Sequence, residues 1–230
     1  MPSGRRLLAA LGLWLLASVV IGGATFVMFG EQTPIEVVVA EVYALLIASL
    51  LIVFRRSLGE SLGLRRCTAG DVTLAAGVVI GAYSLVGSIQ RLFAPASWSS
   101  LMDILLGIGA DGGRLATASP LMIAVIVLRA TLLAAVGEEL LFRGALHGWL
   151  RRRLPAGATI PITAAAWALI HGFPLIWPLA FVMGIGFGWI RERSGSTVPT
   201  ITVHALHNAA LIAISYATTS WTATLPAWGG

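Results

Sequence analysis

Apolar runs of about twenty residues recur along the whole chain with only short polar breaks between them, and this pattern leaves few folds open. A helix rises ~1.5 Å per residue, so ~20 apolar residues are needed to cross the ~30 Å hydrocarbon layer of a bilayer. Seven runs meet or approach that length: 7–29, 37–54, 72–93, 120–149, 158–173, 175–190 and 198–217. In hydrocarbon every backbone N–H and C=O needs an internal partner, so such runs are helices. The fold class is therefore all-α: a polytopic membrane helical bundle of about seven transmembrane helices, or eight with one further short span. Of the 230 residues 57% are hydrophobic and 11% charged, against about 25% charged in soluble domains. So much apolar surface cannot all be buried in one water-soluble core of this size.

The fifth and sixth runs are short and meet around Gly172 and Pro174. They read as two tightly turned helices, or as one broken helix with a re-entrant piece. Segment 97–110 places Trp98, Leu101, Ile104 and Leu105 near helical spacing and reads as an interfacial helix. Arg5-Arg6 ahead of apolar residues resembles the start of a signal peptide. The run continues to about Phe29, however, longer than the ~7–15 residues of a signal core, so it reads as a retained first helix. Gly77/Gly81 and Gly184/Gly188 have the small-xxx-small spacing that lets helix backbones approach.

Charge sets the expected topology. Arg5, Arg6, Arg55, Arg56, Arg65, Arg66, Arg151, Arg152, Arg153, Arg191 and Arg193 fall on alternate breaks, while the opposite breaks hold Glu31, Asp103 and Asp111, with Arg114 the exception. Basic residues concentrate on the cytoplasmic side, which predicts a cytoplasmic N-terminus. The net charge of +5 is thus topological and does not point to nucleic acid. The single Cys67 excludes an internal disulfide and a multi-cysteine metal site. The expected partners are membrane lipid and a peptide or membrane-protein substrate; oligomeric state is not legible.

Ionisable groups inside apolar spans are costly and point to function. Here they concentrate in the second half, which holds Glu138, Glu139, Arg143 and all four histidines, His147, His171, His204 and His207. On a helix Glu139 and Arg143 are i,i+4 neighbours and can pair. Glu138 points about 100° away and is left unpaired, suited to a general base beside a supporting neighbour. Taken singly, the Glu139–Arg143 pair and His171 read as structural. His204 and Asn208 share a helix face and can polarise a carbonyl or stabilise an oxyanion. His207 is offset and secondary, and His147 lies near a helix end, where an interfacial role is expected. Counting residues from the basic ends puts Glu138, His171, His204 and Asn208 roughly 10–20 Å deep. Three separate spans thus deliver polar groups to one layer.

Glu138-Glu139-x-x-x-Arg143, Trp167-x-x-x-His171 and His204-x-x-x-Asn208, in this order and each in an apolar span, resemble the three motifs of the CAAX-protease and bacteriocin-processing (CPBP, Abi) family. Its relative of best-known function is the eukaryotic type II CAAX prenyl endopeptidase. The resemblance covers roughly residues 120–215 and divides the single membrane domain into N-terminal spans, 1–115, and a catalytic core, 116–217. It departs at Trp167, where Phe is commoner, a change that an aromatic wall should survive. It implies an intramembrane endopeptidase in which Glu138 and His171 activate water, His204 and Asn208 stabilise the oxyanion, and Glu139, Arg143 and Trp167 support them. Metal dependence stays open: Glu138, His171 and His204 would be the ligands of a zinc ion, but HExxH is absent, and a metal-free glutamate mechanism is the preferred expectation. An arginine-rich, lysine-free chain suggests a bacterial plasma membrane. The competing readings are a non-enzymatic bacteriocin self-immunity or scaffold protein, and a small proton-coupled transporter.

Overall fold

Local signals set the helix boundaries. Thr68 and Asp71 form a reciprocal capping box, Thr68 Oγ1 accepting from the Asp71 N–H and Asp71 Oδ2 accepting from the Thr68 N–H. Ser119 caps the next helix through the Met122 N–H, with Pro120 in the first turn, where its missing N–H is harmless. Gly195, at φ +67°, closes another in the left-handed conformation that glycine adopts without strain.

The computed structural model describes residues 4–29, 34–94, 118–171 and 174–224. Among these the chain is all-helical and without strands: α1 (Gly4–Phe29), α2 (Ile35–Phe54), α3 (Ala69–Phe93), α4 (Pro120–Leu150), α5 (Ala156–Leu169), α6 (Trp177–Ser194) and α7 (Val198–Thr224). A short π-helical turn, Leu58–Leu62, lies between α2 and α3. The interfacial helix expected at 97–110 falls outside the described residues.

Each of the seven expected runs contains a helix, but five helices, α1, α2, α3, α4 and α7, have the length and apolarity to cross a membrane unaided. The run expected at 158–173 ends earlier. α5 has 14 residues, ~21 Å at the α-helical rise, and the chain turns at Ile170 and His171 ahead of Pro174. Outward-facing side chains such as Val19 (73% exposed), Leu92 (77%) and Leu121 (76%) are apolar. This is the surface of a multi-pass membrane protein, whose solvent is lipid.

α4 is the central element, packed against α2, α5 and α7. It is not uniformly α-helical. π-helical turns at Leu128–Leu133 and Leu140–Leu146 flank the α-helical segment Ala134–Glu139. A π turn takes in one extra residue and so rotates every side chain that follows. Leu140 and Ala145 join a core with Leu46, Leu50 and Phe54 of α2, while Phe142 joins a second core with Trp167 and Phe187. The motif Glu138-Glu139 thus sits between two cores.

The glycine spacings behave differently from one another. A Cβ on Gly184 would lie 2.8 Å from Ala164 Cβ and 2.9 Å from Ala164 Cα, and one on Gly188 would lie 3.0 Å from Ile160. This face of α6 therefore meets α5 at backbone distance, as the spacing suggests. Gly77 and Gly81 meet nothing within 4 Å among the described residues. The contact from α6 to α3 runs instead through Gly186, where a Cβ would collide with Val78.

The basic breaks gather at one end of the bundle. Thr197 N–H donates to Gly63 O (2.9 Å) and Thr197 Oγ1 to Leu62 O (2.8 Å). Ser196 Oγ donates to Arg65 O (2.7 Å), Arg191 Nε to Arg143 O (3.1 Å) and Arg151 Nε to Glu192 Oε1 (2.6 Å). Gly4 lies against the Trp149 ring at the same end.

Candidate active site

Glu138, His171, His204 and Asn208 line one cavity of about 250 Å³ among α2, α4, α5, α6 and α7. The rest of its wall is mainly apolar, with Ile176, Leu179, Met183 and Leu211 among the contributors. Polar groups from three separate stretches of chain thus meet at one place, as their matched depths suggest.

Glu138 and Glu139 are adjacent and differently held. Glu139 is fully buried, and its Oε1 accepts from Arg143 Nη1 (2.8 Å) and faces His204 Nδ1 (3.2 Å). The expected i,i+4 pair is present and is extended by His204 into a triad. Arg143, also fully buried, lies 4.3 Å from the centroid of the Trp167 ring, a cation–π contact in a water-poor setting.

Glu138 is not left unpaired, as its helical phase suggested. Its Oε1 accepts from Tyr43 Oη (2.6 Å) and its Oε2 from Trp167 Nε1 (2.7 Å). Both donors are neutral, so they fix the carboxylate without cancelling its charge, whereas Glu139 has its charge matched by a guanidinium. Trp167 is accordingly more than an aromatic wall. Its ring stands edge-on to both His171 (4.9 Å between centroids) and His204 (5.5 Å), so one indole touches three of the four predicted catalytic residues.

His171 lies just beyond the end of α5, where its Nδ1 is 2.9 Å from the Trp167 carbonyl oxygen. A carbonyl can only accept, so Nδ1 carries the proton and Nε2 is the basic nitrogen of the neutral ring. Asn208 Nδ2 donates to Ala130 O (3.0 Å), and its Oδ1 accepts from His207 Nδ1 (3.2 Å). His207 Nε2 then accepts from Tyr83 Oη (2.9 Å). His207, read as secondary, thus orients the amide of Asn208. His147 lies elsewhere, buried and 2.7 Å from Glu192, in keeping with a place at a helix end.

Sequence reasoning missed Tyr43, which lines the cavity, and Tyr83. Tyrosines in apolar spans carry a weak signal, since the same residues anchor helices at membrane interfaces. Only pairing across α2–α4 and α3–α7 distinguishes them.

Residues 120–210 match the family model described as type II CAAX prenyl endopeptidase Rce1-like. Over this stretch the chain is similar to that family. No curated protein and no solved structure matches it. The Rce1-like stretch supplies all four predicted catalytic residues, whereas Tyr43 and Tyr83 belong to helices outside it.

The zinc alternative would use Glu138, His171 and His204. Among the described residues no three His, Cys, Asp or Glu side chains are grouped to hold a metal ion, Glu138, His171 and His204 included.

Proposed function

We propose that this protein is an intramembrane endopeptidase that hydrolyses a peptide bond of a membrane-associated or peptide substrate with water activated by Glu138 and His171. The observation that carries the reading is the convergence of Glu138, His171, His204 and Asn208 on one cavity, within a stretch that is Rce1-like. In this reading Glu138, held open by neutral donors, takes a proton from water, with His171 Nε2 as the second acceptor. The water oxygen attacks the scissile carbonyl carbon, and the negative charge passes to the carbonyl oxygen. Asn208 has a second amide hydrogen to offer that oxygen beyond the one given to Ala130. His204 faces Glu139 through Nδ1, and as imidazolium it presents an N–H at Nε2, its charge supported by the buried carboxylate. Return of the proton to the amine nitrogen completes C–N cleavage.

The basic end of the bundle is the cytoplasmic end by the distribution of arginine, and a bacterial plasma membrane is the proposed location. The N-terminal spans 1–115 frame the catalytic core 116–217. The deciding experiment compares native peptide N-termini and membrane-protein fragments in cells carrying wild type or Glu138→Gln at matched expression. Fragments present with wild type alone are expected and would also name the substrate. An identical fragment set, from a folded variant that preserves the host phenotype, would replace protease with scaffold or immunity protein.

A further inference from the structure

We infer that Tyr43, on α2 and outside the Rce1-like stretch, is a positioning residue that sets the Glu138 carboxylate for its task. This rests on the reading of Glu138 as the base, but the contact itself is independent of any substrate. Three observations carry it.

The first is distance. Tyr43 Oη lies 2.6 Å from Glu138 Oε1, within the range of charge-assisted O–H···O⁻ bonds. Both residues line the cavity, so the bond is made at the wall and not in a remote part of the core.

The second is the backbone beneath the ring. A Cβ on Gly137 would lie 3.0 Å from Tyr43 Cδ1. The residue before Glu138 therefore has to be small for the phenol to reach the carboxylate from α2. Glycine inside an apolar helix is otherwise unfavourable by about 1 kcal/mol relative to alanine.

The third is the pattern of restraint. A glutamate side chain has three rotatable bonds. Trp167 holds Oε2 from α5 and Tyr43 holds Oε1 from α2. Two donors on opposite oxygens, from helices on different sides of α4, fix the carboxylate plane, which either alone would leave free to turn. A ring that only filled space between α2 and α4 could be phenylalanine; the hydroxyl aimed at Glu138 is what assigns the role.

The test uses the full chain, purified in lipid nanodiscs. The infrared difference between wild type and Glu138→Gln identifies the Glu138 carboxylate stretch. Tyr43→Phe is expected to shift that band while helix content and melting remain near wild type. Gly137→Ala, which keeps the hydroxyl but displaces the ring, is expected to shift it in the same direction. In the fragment comparison at matched expression, Tyr43→Phe should lower the fragment yield about 10- to 100-fold. An unchanged band in a folded Tyr43→Phe protein would overturn the inference and leave Tyr43 a packing residue. If Glu138→Gln leaves all fragments unaltered, the protease reading fails, while the band shift still decides the Tyr43 contact.

Discussion

Trp167 Nε1 and Glu138 Oε2 are 2.7 Å apart and join α5 to α4 at the cavity wall. The same indole faces Arg143, His171 and His204, so it links the carboxylate held by neutral donors to the triad around Glu139. Trp167→Phe separates these roles. The ring contacts persist in part, but Oε2 loses its donor. We expect proteolysis to fall about tenfold, the effect of one hydrogen bond to a charged group, with the fold retained. Equal fragment yields from wild type and variant would show that this bond is dispensable.

Arg143 and Glu139 are both fully buried. Removing one partner strands the other charge in a low-dielectric interior, at a cost of about 3–5 kcal/mol. Arg143→Leu is therefore expected to melt far below wild type in detergent or to fail to accumulate. Adding Glu139→Gln to the same chain should recover part of the loss. Equal melting of wild type and the single variant would mean that the pair contributes nothing to folding.

Gly184 and Gly77 share a sequence pattern but not an environment. A side chain at Gly184 enters the backbone of α5 at Ala164, whereas one at Gly77 meets nothing within 4 Å among the described residues. Gly184→Val should destabilise by about 1–3 kcal/mol or more, as overpacking does, and should disturb Trp167, 3.4 Å from that site. Gly77→Val should be close to neutral. Thermal melts of the two variants side by side decide the matter, and the reverse order would reassign the packing face.

Cys67 is partly accessible and follows Arg65-Arg66 in the break between α2 and α3. A membrane-impermeant maleimide should label it in inside-out vesicles and not in intact cells. Labelling of intact cells alone would reverse the proposed orientation. The single native cysteine makes this test possible without substitution.

The helical, membrane-embedded character of the chain was determined by its sequence alone, because spanning length and apolarity are local properties of each run. The same is true of Glu138, His171, His204 and Asn208 as candidates. Polar groups are costly in hydrocarbon, so their positions stand out against the apolar background. The Glu139–Arg143 pair was legible too, since i,i+4 neighbours meet within one helix.

Only the tertiary structure decided who holds Glu138. Helical phase leaves that carboxylate without a partner on its own helix, and its donors Tyr43 and Trp167 come from 95 and 29 residues away. The addition of His204 to the Glu139 pair, the orienting of Asn208 through His207 and Tyr83, and the lack of any contact at Gly77 and Gly81 among the described residues are likewise products of packing. The π turns that flank the motif rotate α4 between two cores, and a 3.6-residue period cannot anticipate them. Contacts between helices depend on which faces meet, and that is a property of the assembled bundle, not of any single span.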